Sequence, residues 1–353
     1  MRNVTLSSPT ATPERRHGLL LDDAHFDAHR SLGHHPERPE RLVAARAAVD
    51  RSGFVWSPVA TATPTFDDLL RTHSEEHLSR LEAWRGRQGN LDSDTFVAPS
   101  SVEAAHLGAG GCMAMVDAMF STAADFGVAL VRPPGHHATR DRAMGFCLLN
   151  NAAIAARQAR LLGANRVAIV DWDVHHGNGT QDIFWDDPSV LYASLHQAPL
   201  FPGTGLLSEV GGPHAEGTTI NLPLEAGSDD GTYRLAFERI VLPVLEAFRP
   251  DFLIVSAGFD ASYRDPLAQM SVTPAGFGWL AAALDRVHTT DASRKTMYVL
   301  EGGYDLVGLE ESLLASLHGA RGAAYDAAPT NDPGLMIATT ARSLKSHWSC
   351  LER

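Results

Sequence analysis

Lysine and cysteine are both scarce in this chain. Lys295 and Lys345 are the only lysines, so arginine carries nearly all of the positive charge. The three cysteines, Cys112, Cys147 and Cys350, include no C-x-x-C pair. This speaks against a disulfide framework and a cysteine-type zinc site, and it fits a reducing compartment, so a cytoplasmic location is expected. No apolar run reaches about 18 residues, so no membrane-spanning helix is expected. The opening MRNVTLSSPTATPERRHG lacks the apolar stretch of a secretory signal. No GxGxxG, P-loop or GxSxG stretch occurs, which leaves nucleotide cofactors and serine-nucleophile hydrolysis without support. With 42 acidic against 29 basic residues the net charge is -13. That disfavours non-specific nucleic-acid binding and suits a cationic substrate, or serves solubility alone.

What is present is histidine, 17 of them in 353 residues, several paired beside glycine and proline. Residues 1–16 are polar and aperiodic and read as a flexible tail. The remainder, 17–353, reads as one catalytic domain. Five short Val/Ile/Leu-rich runs have the character of strands buried on both faces: GVALV (127–131), RVAIVDW (166–172), VLYASL (190–195), FLIVSA (252–257) and TMYVL (296–300). Helical patterns alternate with them, over 151–163, 233–248 and 273–288. The first ends at a glycine suited to a C-cap, and the last opens with Thr-Pro, a good N-cap and N1 pair. Such alternation predicts an α/β fold with a mostly parallel sheet covered by helices. Each run is followed by chemistry: PPGHH, DWDVHHGNG, His196, GFDASYRDP and EGGY. Ligands of open α/β sheets bind at the carboxyl ends of strands, so five strand ends deliver His, Asp and Tyr to one edge.

Asp171, Asp173 and His175 alternate at period two and would share one face if the strand persists. An isolated D-x-H reads more readily as a structural hydrogen bond. A third candidate ligand, Asp260, changes that balance, because a bare carboxylate at the end of an apolar strand is costly. Asp173, His175 and Asp260 would make an O/N site with an open position, as in catalytic zinc centres, and Fe(II), Co(II) or Mn(II) also suit these ligands. Such an ion acidifies a water and polarises a carbonyl. His136 and His137 are the candidate proton shuttles, with Asp171 and Asn178 as the acceptors that could orient them. An Asp partner raises imidazole basicity more than an Asn does, so the two should differ in pKa. Tyr304, after Gly302-Gly303, could donate to the oxygen of a tetrahedral intermediate. Phe146 and Phe201, in Gly-flanked loops, could wall a slot for a long, thin side chain, with core packing as the plainer alternative.

Together, HPERPERL (35–42), RPPGHHA (132–138), GFCLLNN (145–151), DWDVHHGNGTQ (171–181), SLHQAPLFPGTG (194–205), SAGFDASYRDPLAQM (256–270) and EGGY (301–304) resemble the histone deacetylase family, which includes acetylpolyamine amidohydrolases and acetoin-utilisation proteins. The resemblance runs from about residue 17 to 320, in the family's order. It implies a three-layer, arginase-like α/β/α fold with a central sheet of about eight strands. It implies zinc on Asp173, His175 and Asp260. His137 is then the main general base and acid, His136 with Asp171 its electrostatic partner, and Tyr304 the oxyanion donor. Gly145, Phe146 and Phe201 would line the acyl-lysine tunnel, and Arg41 would lie near an acetate-release cavity. Asp94 would be the rim aspartate, with Asp92 as competitor. A structural potassium ion would be held by Asp171, Asp173, His175, Ser194 and Leu195, partly through backbone carbonyls. Asn178 and Trp172 resemble class II members, and Leu267 stands where polyamine-specific relatives carry glutamate.

The function these features imply is zinc-dependent hydrolysis of Nε-acyl-lysine amides in a protein or peptide. The alternatives are deacetylation of an acetylated small amine, a catalytically silent acyl-lysine binder, and an arginase-type ureohydrolase. The last wants a second metal bridged by further carboxylates, and Asn178 supplies none. Neither nucleic acid nor membrane is expected as a partner, and a homo-oligomer is left open.

Overall fold

All five apolar runs form strands, and three further strands join them. The computed structural model describes residues 17–122, 124–288, 295–326 and 334–351. The tail expected over 1–16 lies outside the described residues. In chain order the strands are β1 (His17–Leu21), β2 (Val55–Pro58), β3 (Gly89–Asn90), β4 (Phe96–Val97), β5 (Phe126–Ala129), β6 (Val167–Asp171), β7 (Val190–Gln197), β8 (Thr219–Leu224), β9 (Phe252–Ala257) and β10 (Lys295–Leu300). Eight of them form one sheet in the order β2-β1-β5-β10-β9-β6-β7-β8, and every neighbouring pair is parallel. β3 and β4 form a separate antiparallel pair.

The central strands are apolar on both faces because helices cover both. Val167 to Asp171 is buried throughout, as is Phe252 to Ala257. The strands absent from the sequence reading lie toward the edges. β2 is short and largely exposed, and β8 contains Pro223, which an edge strand tolerates because one side of its ladder needs no donor. Helix Ser101–Ser121 approaches β1 and the loop after β2 closely through its glycines. A Cβ on Gly111 would enter the Leu21 side chain, and one on Gly110 would enter the Ala62 carbonyl.

The predicted helix ends hold in two cases. Asn150 caps helix Asn151–Leu161 by accepting from Ala153 N at 2.9 Å, and Gly163 follows at φ 103°. Pro274–His288 begins after Thr273, whose hydroxyl accepts from Gly276 N. The third, expected to run unbroken over 233–248, is interrupted. It starts at Asp230, widens into a π turn at Phe237–Val241 and resumes as Leu242–Phe248. Pro243 is the cause: it has no N–H to donate and its ring crowds the carbonyl four residues earlier, a conflict that the wider turn relieves.

The sheet order has one functional consequence. β5, β10, β9, β6 and β7 are consecutive neighbours, and they are the five strands followed by the polar motifs. Their carboxyl ends therefore form one continuous rim at the centre of the sheet.

The loop after β5 is pinned from below by a buried histidine. The His73 Nδ1–H donates to the Thr139 carbonyl at 2.9 Å, while its Nε2 accepts from the Asn150 N–H at 3.0 Å. Burial and the neighbouring His77 push its pKa down to about 3. His73 is thus neutral when folded and titrates near 6.5 when unfolded, so its contribution is complete above pH 6.5 and is lost as pH falls below it. Unfolding free energy from urea titrations should drop between pH 7.5 and 5, by up to about 1.4 kcal/mol per pH unit for this one residue. His73→Gln should show a shallower slope.

Candidate active site

β6 ends at Asp171, earlier than the alternating reading required, so a continuous strand does not place Asp173 and His175 on one face. The aspartates themselves end it. Asp171 Oδ1 accepts from Asp173 N at 3.2 Å, and Asp173 Oδ1 accepts from His175 N at 2.9 Å. Each carboxylate captures the N–H two residues on and coils the chain out of the ladder. The coil nevertheless brings the candidate ligands together. His175 Nδ1 lies 3.2 Å from Asp173 Oδ1 and 3.0 Å from Asp260 Oδ2. One ligand atom from each of Asp173, His175 and Asp260 falls within 4.8 Å of the others, and all three residues are buried.

Backbone groups aim the carboxylates. Gly302 N donates to Asp173 Oδ2 at 2.7 Å, and Val174 N to Asp260 Oδ1 at 2.8 Å. Glycines make room for them: a Cβ on Gly258 would strike Asp173, and one on Gly302 would strike both Asp173 and Asp260. Burial and the charge of Asp173 push the Asp260 carboxyl up to about 7. Burial would lower His175, but its two carboxylate neighbours prevail and raise it to about 10. An imidazole that must turn cationic to satisfy two buried acids marks a site built for positive charge, and two oxygens and a nitrogen suit a divalent ion.

The two histidines after β5 have the partners the sequence suggested. The His136 Nδ1–H donates to Asp171 Oδ2 at 3.0 Å, and the His137 Nδ1–H donates to Asn178 Oδ1 at 2.8 Å. Their ring centroids are 4.0 Å apart. Burial opposes charge on both. For His136, Asp173 and Asp171 overcome burial and hold the pKa well above the usual imidazole range. For His137, burial is reinforced by the charges of His136 and His175, and the pKa falls well below that range. The surrounding charges thus favour the protonated form of His136 and the neutral form of His137.

Tyr304 is buried and its N–H donates to Asp265 Oδ2 at 2.6 Å. Burial raises its phenol well above 10 and keeps it protonated. Phe146 meets the Tyr304 ring edge-on at 5.9 Å, and Phe201, 39% exposed, meets the His137 ring edge-on at 5.1 Å. Gly145 sits between these walls at φ 55°. A Cβ there would lie 2.5 Å from the His137 ring and 2.9 Å from that of Phe201. Phe146 itself has φ 69°, backbone strain of the kind that gathers at functional sites. Leu267 is half-buried, its N–H donating to Asp265 Oδ1 at 3.0 Å.

The remaining expected residues lie further out. Asp92 Oδ1 accepts from Asp94 N and Thr95 N and so staples its own turn, whereas Asp94 bonds the Thr95 hydroxyl at 3.1 Å. That hydroxyl accepts from Phe146 N, which ties the turn to the aromatic wall. Arg41 is fully buried behind Tyr304, with its guanidinium 5.0 Å from the ring centroid, and it donates to the Gly303 and Glu301 carbonyls. The β6–β7 register sets Asp171 opposite Ser194, whose hydroxyl lies 3.0 Å from His196 Nδ1, and Leu195 is buried.

Tyr192, Glu301 and Glu37 are among the residues that escaped the sequence reading. The Tyr192 hydroxyl donates to Asp171 Oδ2 at 3.0 Å. Glu301 Oε2 accepts from Gly135 N at 2.7 Å and His136 N at 3.1 Å, and burial pushes its pKa up to about 7. Glu37 joins Arg41 and Arg132 in a buried ion cluster. An acid directly after an apolar strand, as in EGGY, was the available signal for Glu301.

Fold and site together define an α/β enzyme with a buried, oxygen-rich candidate metal site at the strand ends. The histone deacetylase domain matches residues 35–320. Histone deacetylase 15 of Arabidopsis thaliana is 43% identical over 289 residues, which cover 80% of this chain and 52% of that protein. A probable deacetylase of Methanothermobacter thermautotrophicus is 42% identical over 312 residues, covering 87% and 92%. The crystal structure of the HDA15 HD domain superposes with a TM-score of 0.88 at 38% identity, over 95% of this chain and 97% of that one. The chain belongs to the histone deacetylase family, whose members typically depend on zinc.

The glycine cradle is open to test. Gly302→Ala should weaken binding of a divalent ion by at least about tenfold, as for other changes around metal ligands. Metal content after dialysis reads this, with circular dichroism confirming the fold.

Proposed function

We propose that this chain hydrolyses the amide of Nε-acyl-lysine, with Asp173, His175 and Asp260 holding a zinc ion, or Fe(II) or Co(II) in its place. The observation that carries the reading is the histidine pair beside those ligands, His136 bonded to Asp171 and His137 to Asn178, each through Nδ1. The ion, when bound, supplies polarisation of the carbonyl and acidification of a water. His137 Nε2 takes the proton of the attacking water as oxygen bonds to the carbonyl carbon. The Tyr304 hydroxyl donates to the oxyanion that forms. His136, favoured in its cationic form by Asp173 and Asp171, stabilises that negative charge without losing its proton. The C–N bond then breaks, and the imidazolium of His137 returns its proton to the departing lysine amine. Phe146 and Phe201 confine the lysine methylenes, and Asp94, rather than its competitor Asp92, receives substrate backbone N–H groups. Potassium beside Asp171 and Ser194 would steady the same loop. The free cysteines support a reducing, cytoplasmic setting.

The net charge of -13 supports a second reading, an acetylated diamine as substrate. Leu267 weighs against it, because an apolar side chain offers a distant ammonium group no partner.

Release of amine from an acetyl-lysine peptide and from N-acetylputrescine, with enzyme stripped by chelator and reloaded with zinc, tests both. Metal-dependent turnover of the peptide is expected, and turnover of the diamine alone would overturn the peptide reading. Tyr304→Phe should lower kcat about 10²- to 10³-fold with metal content unchanged. Asn178→Asp should raise the basicity of His137 and move the acid limb of the kcat/KM profile to higher pH.

A further inference from the structure

We propose that Asp265 is a positioning residue for Tyr304, one carboxylate that locks the oxyanion donor in register with the Leu267 segment. The proposal rests on the role assigned to Tyr304 above. Asp265 stands in the loop after β9 and is 8% exposed. Its Oδ2 accepts from Tyr304 N at 2.6 Å and from Asp305 N at 3.2 Å, while Oδ1 accepts from Leu267 N at 3.0 Å. Three backbone donors from two chain segments thus converge on one side chain.

The reason such a clamp is needed lies next to Tyr304. The phenol follows Gly302-Gly303, and Gly303 sits at φ 116°. A glycine pair leaves the backbone free to turn, and that freedom would be passed directly to the tyrosine. The pair is held at both ends. On one side Gly302 N is tied to Asp173, and on the other Tyr304 N is tied to Asp265. Asp265 is therefore the anchor beyond the hinge, while Arg41 holds the Gly303 carbonyl from behind at 2.7 Å. Outside the clamp, Arg264 pairs with Asp305 at 2.9 Å, and Asp305 caps helix Leu306–Gly319 through Gly308 N. The loop after β9 and the loop after β10 are thereby joined into one unit, and Asp265 is its buried link. A displacement of the phenol by about 1 Å is enough to cost two orders of magnitude in rate.

Asp265→Asn tests this, because the amide keeps the shape but turns one acceptor into a donor facing N–H groups. On the acetyl-lysine peptide, kcat should fall about ten- to a hundredfold with KM within about twofold, at unchanged metal content and circular dichroism. In the Tyr304→Phe background the same change should cost less than about twofold, since there is no hydroxyl left to position. Amide exchange at Tyr304 and Asp305, followed by mass spectrometry, should speed up in Asp265→Asn independently of activity. Should that variant lose its cooperative melt, Asp265→Glu, with the carboxylate shifted by one methylene, enters the same cycle with the same expectations. Parental kcat in the variant, or an equal loss with and without the Tyr304 hydroxyl, overturns the proposal. Full activity of Tyr304→Phe would overturn the Tyr304 reading itself and this proposal with it, a result distinguishable from the additive one.

Discussion

Four carboxylates shut away from water, Asp171, Asp173, Asp260 and Glu301, meet at the centre of the sheet. Each would be prohibitively costly alone. Each is accommodated by a specific group. Asp171 receives His136 and the Tyr192 hydroxyl, Asp173 the N–H of Gly302, Asp260 the N–H of Val174, and Glu301 the N–H groups of Gly135 and His136. Nearly every one of these donors belongs to a strand end other than the acid's own. The need to satisfy buried negative charge is therefore what ties the loops of β5, β6, β9 and β10 to one another. Leaving one member of such a set unpaired costs roughly 3–5 kcal/mol, a large share of a domain's stability.

A second charged layer lies behind the first. Glu37 is bound by Arg132 and Arg41 and faces His29, all fully buried. Arg132 also reaches the Phe26 and His29 carbonyls at 2.9 Å. Arg132 lies within the segment that leads from β5 into the histidine pair, and Arg41 lies under Tyr304, so this cluster is the rear support of both. It also makes sense of HPERPERL: Glu37, in the bend before helix Glu40–Arg51, pairs with Arg41 in that helix's first turn. Their charge faces inward and anchors this turn to the site's back wall.

The site also depends on what the chain omits. Gly145, Gly258 and Gly302 stand where a Cβ would occupy the space of His137 or of the carboxylates of Asp173 and Asp260. Phe146 accepts a left-handed backbone beside Gly145, and the result is an aromatic edge set against Tyr304. Chemistry and packing compete for the same few cubic ångströms, and small residues settle the competition in favour of the polar groups.

Residue types and local periodicity determined a good deal. The five central strands, two of the three helix boundaries and the motifs at the strand ends follow from burial patterns and capping chemistry, which act over neighbouring residues. The partners of His136 and His137 were also legible, since Asp171 and Asn178 sit in the same short motif. Local chemistry overrode the periodicity at two points, and tertiary structure decided the rest. Pro243 opened a π turn in a helix whose amphipathic pattern ran straight through it. Asp171 and Asp173 ended β6 by capturing their own backbone, so that Asp173 and His175 meet by a coil rather than a shared strand face. β1, β2 and β8 took their places because the sheet's edges needed covering, a demand that no local pattern expresses. Asp265, Glu301 and Tyr192 act on residues tens of positions away. Their roles depend on which strand lies beside which, and that order arises only when the whole sheet assembles.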